Sequence, residues 1–400
     1  MASKTTISNT MIRVANHYKV LLLIETSELY GQRLLRGIVN YSQLHGAWMF
    51  CTNTPLYRRT RTDTKICAKD MGCNGVIVYM PGSTINIQSI VSGLPAVVFH
   101  DIIKIPSLHS CVSTKSDHRK TGEMGAEYLL RCGFRQFAYC GFKGMLWSDM
   151  RGKSFAQKIA QAGFDIHTYN SSRLLSKDHT LEISLLNDWL RLLPKPVGLM
   201  ACNDDRGQQI IEACWTNGIS VPDEVAVLGV DNDDLICGTT NPPLSSIALS
   251  AEKAGYEAAK ILGELMSGQR IGSKEIVIEP TYIVTRQSTN ILAIEDRKVA
   301  EAMRFIRKNI ECLISVSDVV NEVACSHTDL AERFRRIIGH PIYEEISRAR
   351  IERISRYLIE SDMSVLQIAI KVGYGSVDHI SRYFKKIKGI TPREYRKKYR

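Results

Sequence analysis

Short, continuous apolar runs alternate with helix-length segments through the first three-quarters of the chain, and this alternation restricts the fold more than any other feature. "KVLLLIE" (19–25), "GVIVYM" (75–80), "PAVVFH" (95–100), "QFAYCG" (136–141), "VGLMAC" (197–202) and "VAVLGVD" (225–231) each read as a strand, and "FDIHTY" as another. Helical segments lie between them at 31–46, Asp117 to about Cys132, Trp147–Gly163, 179–192 and Asp204–Asn217. A strand that is apolar on both faces needs cover on both, so the pattern implies parallel sheets wrapped by helices. Two sets of such units imply an α/β protein of two doubly wound lobes, with a ligand cleft beyond the strand C-termini. The second lobe is expected to begin near Gln136, with crossings between lobes around 100–117 and 240–250. One sensing domain would then run over 18–285, followed by a linker at 286–297, "RQSTNILAIEDR".

From Lys298 the strand signal stops, and 298–400 reads as all-α. "VSDVVNEVACSHTDLAERFRRIIG" (316–339) is helix, tight turn, helix; "YEEISRARIERISRYLIES" (343–361) is one long helix; "SVLQIAIKVGYGSVDHISRYFKKIKG" (364–389) is helix, turn, helix again. The unit repeats at an offset of 50 residues, so that Ser326 matches Ser376, Phe334 matches Phe384, and Gly339 matches Gly389. Each serine stands where a helix N-cap accepts an orphan amide. Leu330 with Phe334, and Ile380 with Phe384, point inward and leave the residues between them facing out. Charge supports a polyanionic partner. Residues 297–400 hold 22 Lys/Arg against 13 Asp/Glu, a net of +9 out of +11 for the whole chain. Cations on a folded module release counterions from phosphates, and helices of this kind present their first turns to the major groove. A helical oligomerisation module is the competing reading.

These residues resemble the AraC/XylS family of bacterial transcription regulators. The resemblance is carried by "VACSHTDLAERFRRIIG", by Ile368-Ala369, Val372-Gly373-Tyr374, Ser376 and Phe384-Lys385, and by "GITPREYR" (389–396). It implies two helix-turn-helix subdomains joined by a long helix, reading successive major-groove segments of double-stranded promoter DNA. By position, His327, Thr328, Ala331 and Glu332 are the outward residues of the first recognition helix. Val377, Asp378, Ser381 and Arg382 take those places in the second, with Lys385 and Lys386 following toward the phosphates. Two residues depart from the family: Ile354 stands where alanine is usual, and Glu332 where a cation is common.

In the larger part no phosphate loop, HExxH, GxSxG or strand–GxGxxG–helix motif occurs, so no familiar catalytic apparatus is expected. Polar residues at strand ends are more telling. Asp231 follows "VLGV", Asn203 and Asp204 follow "LMAC", and Trp147 and Arg151 open a helix. Planar bidentate groups and a flat aromatic are what a sugar's hydroxyls and C–H face need. Each residue has a plainer reading, an Asp as a helix cap or a Trp as core. Together with "SDHRKTGEMGAEYLL", "CNDDRGQQIIEAC", "RGKSF" and "GVDND", they resemble the periplasmic-binding-protein-like sensors of the LacI and ribose-binding class. That resemblance implies ligand contacts from Arg151, Asn203 and Asp231, with Asp204 and Asp117 beside them. It also marks the absence of an N-terminal DNA-binding headpiece, since a polar leader of about 17 residues precedes the first strand.

Such a sensor joined to a C-terminal AraC-type module is the arrangement of the bacterial xylose operon regulator family. "ELYGQRLLRGIVNY" and "WSDMRGKSF" resemble its pocket segments, which adds Tyr30 to the ligand set. The family implies a sugar effector, D-xylose foremost, activation of pentose-use genes, a homodimer and contact with RNA polymerase. A sensor for a non-sugar ligand and a sugar-processing enzyme tethered to DNA are the alternatives. Eleven cysteines without metal-ligand spacing fit reduced thiols in a cytoplasm. "VLLLI" is too short to span a membrane. No membrane partner, metal, cofactor or catalytic residue is expected.

Overall fold

The computed structural model describes residues 18–52, 68–80, 87–91, 93–99, 111–171, 179–269, 271, 275–290, 294, 296–310, 312–374 and 376–400. Lobe 1 opens with β1 (Lys19–Ile24), α1 (Leu29–His45), β2 (Met49–Thr52), β3 (Gly75–Tyr79), α2 (Ile87–Val91), β4 (Ala96–Phe99) and β5 (Cys111–Ser116). The chain crosses at Asp117 into lobe 2. There it builds α3 (His118–Arg131), β6 (Gln136–Phe142), α4 (Leu146–Gln161), β7 (Ile166–Ser171), α5 (His179–Leu192), β8 (Val197–Ala201), α6 (Asp204–Thr216), β9 (Val225–Val230), α7 (Asp234–Thr239) and β10 (Ser245–Leu249). At Ser250 it returns to lobe 1 for α8 (Ala251–Met266) and β11 (Ile276–Ile278), and at Glu279 it crosses once more to β12 (Pro280–Val284).

Each lobe has a six-stranded sheet, ordered β11-β5-β4-β3-β1-β2 in lobe 1 and β12-β10-β9-β8-β6-β7 in lobe 2. All pairings are parallel except β10 with β12. The continuous apolar runs are buried as expected: Val20, Val76, Val97, Phe137, Leu199 and Val227 have no exposed surface. In both sheets the order reverses beside the first strand of the lobe, β1 or β6. The cleft opens at the C-terminal ends of these strands.

The sequence reading anticipated the crossings near Asp117 and Ser250, although residues 100–110 lie outside the described residues. It missed the crossing at Glu279, because β11 has only three residues and carries no readable period. The crossing segments are tied together there: Asp117 N donates to Ile278 O at 2.8 Å, and Ser250 N donates to Glu279 O at 3.0 Å. The expected linker also differs. Residues 287–289 form a 3-10 turn in which Ser288 and Thr289 are buried, and Ser288 Oγ donates to Val227 O at 2.6 Å, so the first part of 286–297 is built into lobe 2. Residues 291–293 and 295 of that stretch lie outside the described residues.

Beyond it come α9 (Arg297–Lys308), α10 (Val316–Val323), α11 (His327–Ile338), α12 (Ile342–Glu360), α13 (Val365–Lys371), α14 (Val377–Lys388) and α15 (Pro392–Tyr399). The repeat read from the sequence is reproduced in the caps. Ser326 Oγ accepts from Asp329 N and Ser376 Oγ from His379 N; Gly339 and Gly389 end their helices in the left-handed region at φ 87° and 77°. Two separate cores form. Leu330 and Phe334 pack with Ile342 and Ile346, whereas Ile380 and Phe384 pack with Ile351, Ile354 and Leu358. One helix, α12, therefore serves both cores, and Ile354, which departs from the family, is fully buried in the second.

The first turn carries a cost that the second avoids. Ala324 ends α10 at φ 49°, where a Cβ crowds the backbone; the second turn has Gly373 at φ 80°. We expect Ala324→Gly to raise stability by about 1 kcal/mol, less the extra backbone entropy of glycine in the unfolded chain. Chemical denaturation of the two proteins measures it, and a lower midpoint for the glycine variant would refute the strain.

The helical domain is fastened to the sensor. Arg131 of α3 pairs with Glu352 of α12 at 2.9 Å, Tyr282 Oη of β12 donates to Glu360 at 2.7 Å, and Tyr395 Oη donates to Thr281 O at 3.1 Å. At the crossing itself Glu279 receives Lys120 at 2.6 Å and Lys398 of α15 at 2.5 Å. Burial pushes the Glu279 carboxyl up, but the hydrogen bonds from the two lysines outweigh it and hold the group below its ordinary range.

Candidate ligand cleft and nucleic-acid interface

The strand ends bring Arg151 and Asp231 together between the lobes. Arg151, in the first turns of α4, is 5% exposed and lies 3.7 Å from Asp231 Oδ1, an ion pair longer than a hydrogen bond. Its Nη1 donates to Cys202 O at 2.6 Å, and its guanidinium lies over the Trp147 ring, 5.2 Å from the centroid. Arg151 Nε and Asp231 Oδ1 are both buried and have no hydrogen-bond partner. Burial raises the Asp231 carboxyl above its ordinary value, while Arg151, Arg33 and His118 pull it back. Asp231 and Asn232 are also strained, at φ 103° and 51°. Backbone strain of this kind concentrates at binding sites.

Lobe 1 supplies the opposite wall. The Tyr30 ring lies 4.9 Å from that of Tyr79, and its hydroxyl is 3.5 Å from Ser116 Oγ. Glu28 stands at the mouth, its carboxyl pushed up to about 7 by desolvation and by Asp231, Asp205 and Glu25.

Of the seven residues expected to bind ligand, the structure gathers Tyr30, Trp147, Arg151 and Asp231 around the cleft. The other three also make structural contacts of their own. Asn203 caps α6, accepting from Arg206 N at 3.0 Å, and its amide donates to Asp205. Asp204 is 2% exposed and committed within lobe 2, accepting from Asp233 N at 2.7 Å and from Ser246 Oγ at 2.5 Å. Asp117 caps α3 at the crossing, accepting from Lys120 N at 2.9 Å. An acid after a strand satisfies the orphan amides of the next helix, and sequence alone does not separate that role from ligand contact. Glu28, Arg33, Tyr79, Ser116 and His118 also neighbour Asp231 or Tyr30, and no sequence signal singles them out.

On the recognition helices, His327, Thr328 and Glu332 of α11 are exposed, and Ala331 is half-buried. On α14, Asp378, Arg382, Lys385 and Lys386 are exposed, with Val377 and Ser381 half-buried. Lys388, also in the final turn, is drawn inward instead. It sits over the Tyr395 ring, and burial, with Arg131 nearby, lowers its pKa.

A profile of the periplasmic binding protein-like domain matches residues 126–289, and a helix-turn-helix domain profile matches 319–398. With the two sheets and the repeated helical unit, they define a two-lobed periplasmic-binding-protein-like sensor joined to a helix-turn-helix DNA-binding domain. Sequence similarity to xylose operon regulatory proteins runs nearly the whole length of both chains. The chain is 28% identical over 388 residues to the one from Haemophilus influenzae, covering 95% of this chain and 98% of the relative. It is 28% identical over 387 residues to that of Escherichia coli, covering 95% and 97%. A solved structure of a xylose-binding transcription activator superposes with a TM-score of 0.57 at 25% identity, covering 95% of this chain and 98% of the other. The family resemblance read from the sequence is thereby borne out along nearly the whole chain. Among the described residues, no helix is long and apolar enough to cross a membrane, and no three His, Cys, Asp or Glu side chains gather as metal ligands.

Proposed function

We propose that this chain is a sugar-responsive transcription activator of pentose-use genes, with D-xylose as its effector. The observation that carries the reading is the Arg151–Asp231 pair, in which the buried atoms Arg151 Nε and Asp231 Oδ1 have no hydrogen-bond partners. A buried donor and acceptor left unmade are costly, and adjacent sugar hydroxyls would satisfy both. Trp147 beside them offers a flat face for sugar C–H groups. No catalytic step belongs to this reading.

Residues 298–400 read promoter DNA, with α11 and α14 in successive major-groove segments and Lys385 and Lys386 on phosphates. Sugar closing the lobes shifts the population of DNA-competent arrangements through the contacts at Glu279, Thr281 and Tyr282. The protein works as a homodimer in the cytoplasm and reaches RNA polymerase at the promoter. The similarity to a xylose-binding activator over the whole chain supports this assignment of effector and sign. Calorimetry of the full chain with a panel of pentoses and hexoses tests it, with recovery of the sugars afterward. Tightest binding by D-xylose, recovered unchanged, is expected. Binding by none of the panel would overturn the sugar reading, and a chemically altered sugar would favour an enzyme.

A further inference from the structure

The contacts across the cleft are unequal. Most cleft residues belong to one lobe and stay within it, but Arg33 of α1 reaches from lobe 1 to the loop after β9 in lobe 2. Its Nη1 donates to Asp231 O and its Nη2 to Asn232 O, both at 3.0 Å. The two acceptors are successive main-chain carbonyls, and both residues lie in the left-handed region. The amides of the same two residues are tied inside lobe 2: Asp231 N donates to Ile247 O at 2.9 Å and Asn232 N to Ser246 Oγ at 2.9 Å. The Asn232 side chain accepts from Arg286 at 2.9 Å, at the start of the segment leading to the helical domain. The main chain of the loop therefore presents its amides to its own lobe and its carbonyls to the other.

From this geometry we infer that Arg33 is the latch of the closed cleft. It is a positioning residue that grips the backbone of the ligand loop and does not itself engage the Asp231 carboxylate, which faces Arg151. Opening the lobes pulls the guanidinium from both carbonyls at once. A planar fork is required, because two carbonyls one residue apart match two parallel N–H groups and not a single ammonium. Gripping the loop also explains why two strained residues persist there, since their conformation is fixed from both lobes. The latch acts on the closed population without touching the sugar. Apparent affinity scales with the fraction of molecules already closed.

The affinity arm of the test rests on the sugar-binding reading, whereas the shape arm does not. Small-angle scattering of the full chain without sugar is expected to show a larger radius of gyration for Arg33→Ala than for the wild type. Stopped-flow binding of D-xylose should show dissociation about 10- to 100-fold faster, the range implied by losing charge-assisted hydrogen bonds. Arg33→Lys, which keeps the charge without the fork, should fall between the two in both measurements; Arg33→Gln supplies a neutral variant should alanine fold poorly. Equal compactness together with unchanged dissociation in a folded variant would overturn the latch. If the wild type binds no sugar in the panel, the effector reading fails, and the scattering comparison still decides this one.

Discussion

Arg151→Ala is expected to lose most sugar binding, a fall in affinity of about 30- to 4,000-fold. The guanidinium is buried, faces Asp231 at 3.7 Å and has an Nε with no hydrogen-bond partner. Removing one member of a desolvated charged pair leaves the other stranded, a cost of about 2–5 kcal/mol. At 1.4 kcal/mol per decade, the middle of that range is more than a hundredfold. The same side chain holds Cys202 O at 2.6 Å, so some stability should go with it. For that reason the variant is compared by circular dichroism and melting before titration, with Arg151→Lys alongside. Lysine keeps a positive charge near Asp231 but cannot hold both Cys202 O and a sugar hydroxyl in one plane, so it should recover only part of the affinity. Wild-type affinity in a folded Arg151→Ala protein would remove the cleft from consideration as the sugar site.

The second large effect separates the roles on α14. Arg382 is exposed on the outward face, and in the free protein its Nε donates to Asp378 O of its own helix at 3.4 Å, a bond weak enough to exchange for a base. Guanine offers O6 and N7 to such a fork, worth about 1–3 kcal/mol of discrimination. Arg382→Ala should therefore lower the preference for operator over random DNA about 5- to 150-fold. Lys386 lies four residues on, near the helix end, suited to a phosphate. Its loss should weaken both DNAs alike and reduce the salt dependence by about one contact. Lys388 should do neither, because its ammonium is turned toward Tyr395. Binding to both DNAs across a salt series measures all three. Equal losses on the two DNAs for Arg382→Ala, with an operator-only loss for Lys386→Ala, would reverse the division of roles.

What could be read beforehand followed the strength of the local signal. Strands such as "VLLLI" and "VAVLGV" are apolar throughout and needed no context. The helical repeat was legible down to its caps, because Ser326 and Ser376, and Gly339 and Gly389, are required by backbone geometry at fixed spacing. β11 and β12 were not legible: three residues of "IVI" fix no period, and "PTYIV" draws its burial from the interface with the helical domain. The cleft was half legible. Arg151 and Asp231 stood out by type and position, and Asn203 and Asp204 carried the same mark while also bonding within the helix cap and the lobe 2 core. Arg33 gave no sign, since its partners are backbone carbonyls about two hundred residues away.

The single helix α12 has a bearing on the DNA as well as on the protein. Its 19 residues hold Ile342 and Ile346 in one core and Ile351, Ile354 and Leu358 in the other, and the i,i+4 pairs Glu344–Arg348 and Arg356–Glu360 stiffen each end. At 1.5 Å per residue this is a ruler about 28 Å long with no joint in it. The spacing and phase between the two stretches of sequence are then dictated by the protein, and the promoter must conform. One base pair inserted between them moves the second stretch by about 3.4 Å and turns it by about 35°. A rod cannot follow that turn, so one reader would leave its groove while the other stayed. The operator should therefore tolerate substitution within the gap far better than a change in the gap's length.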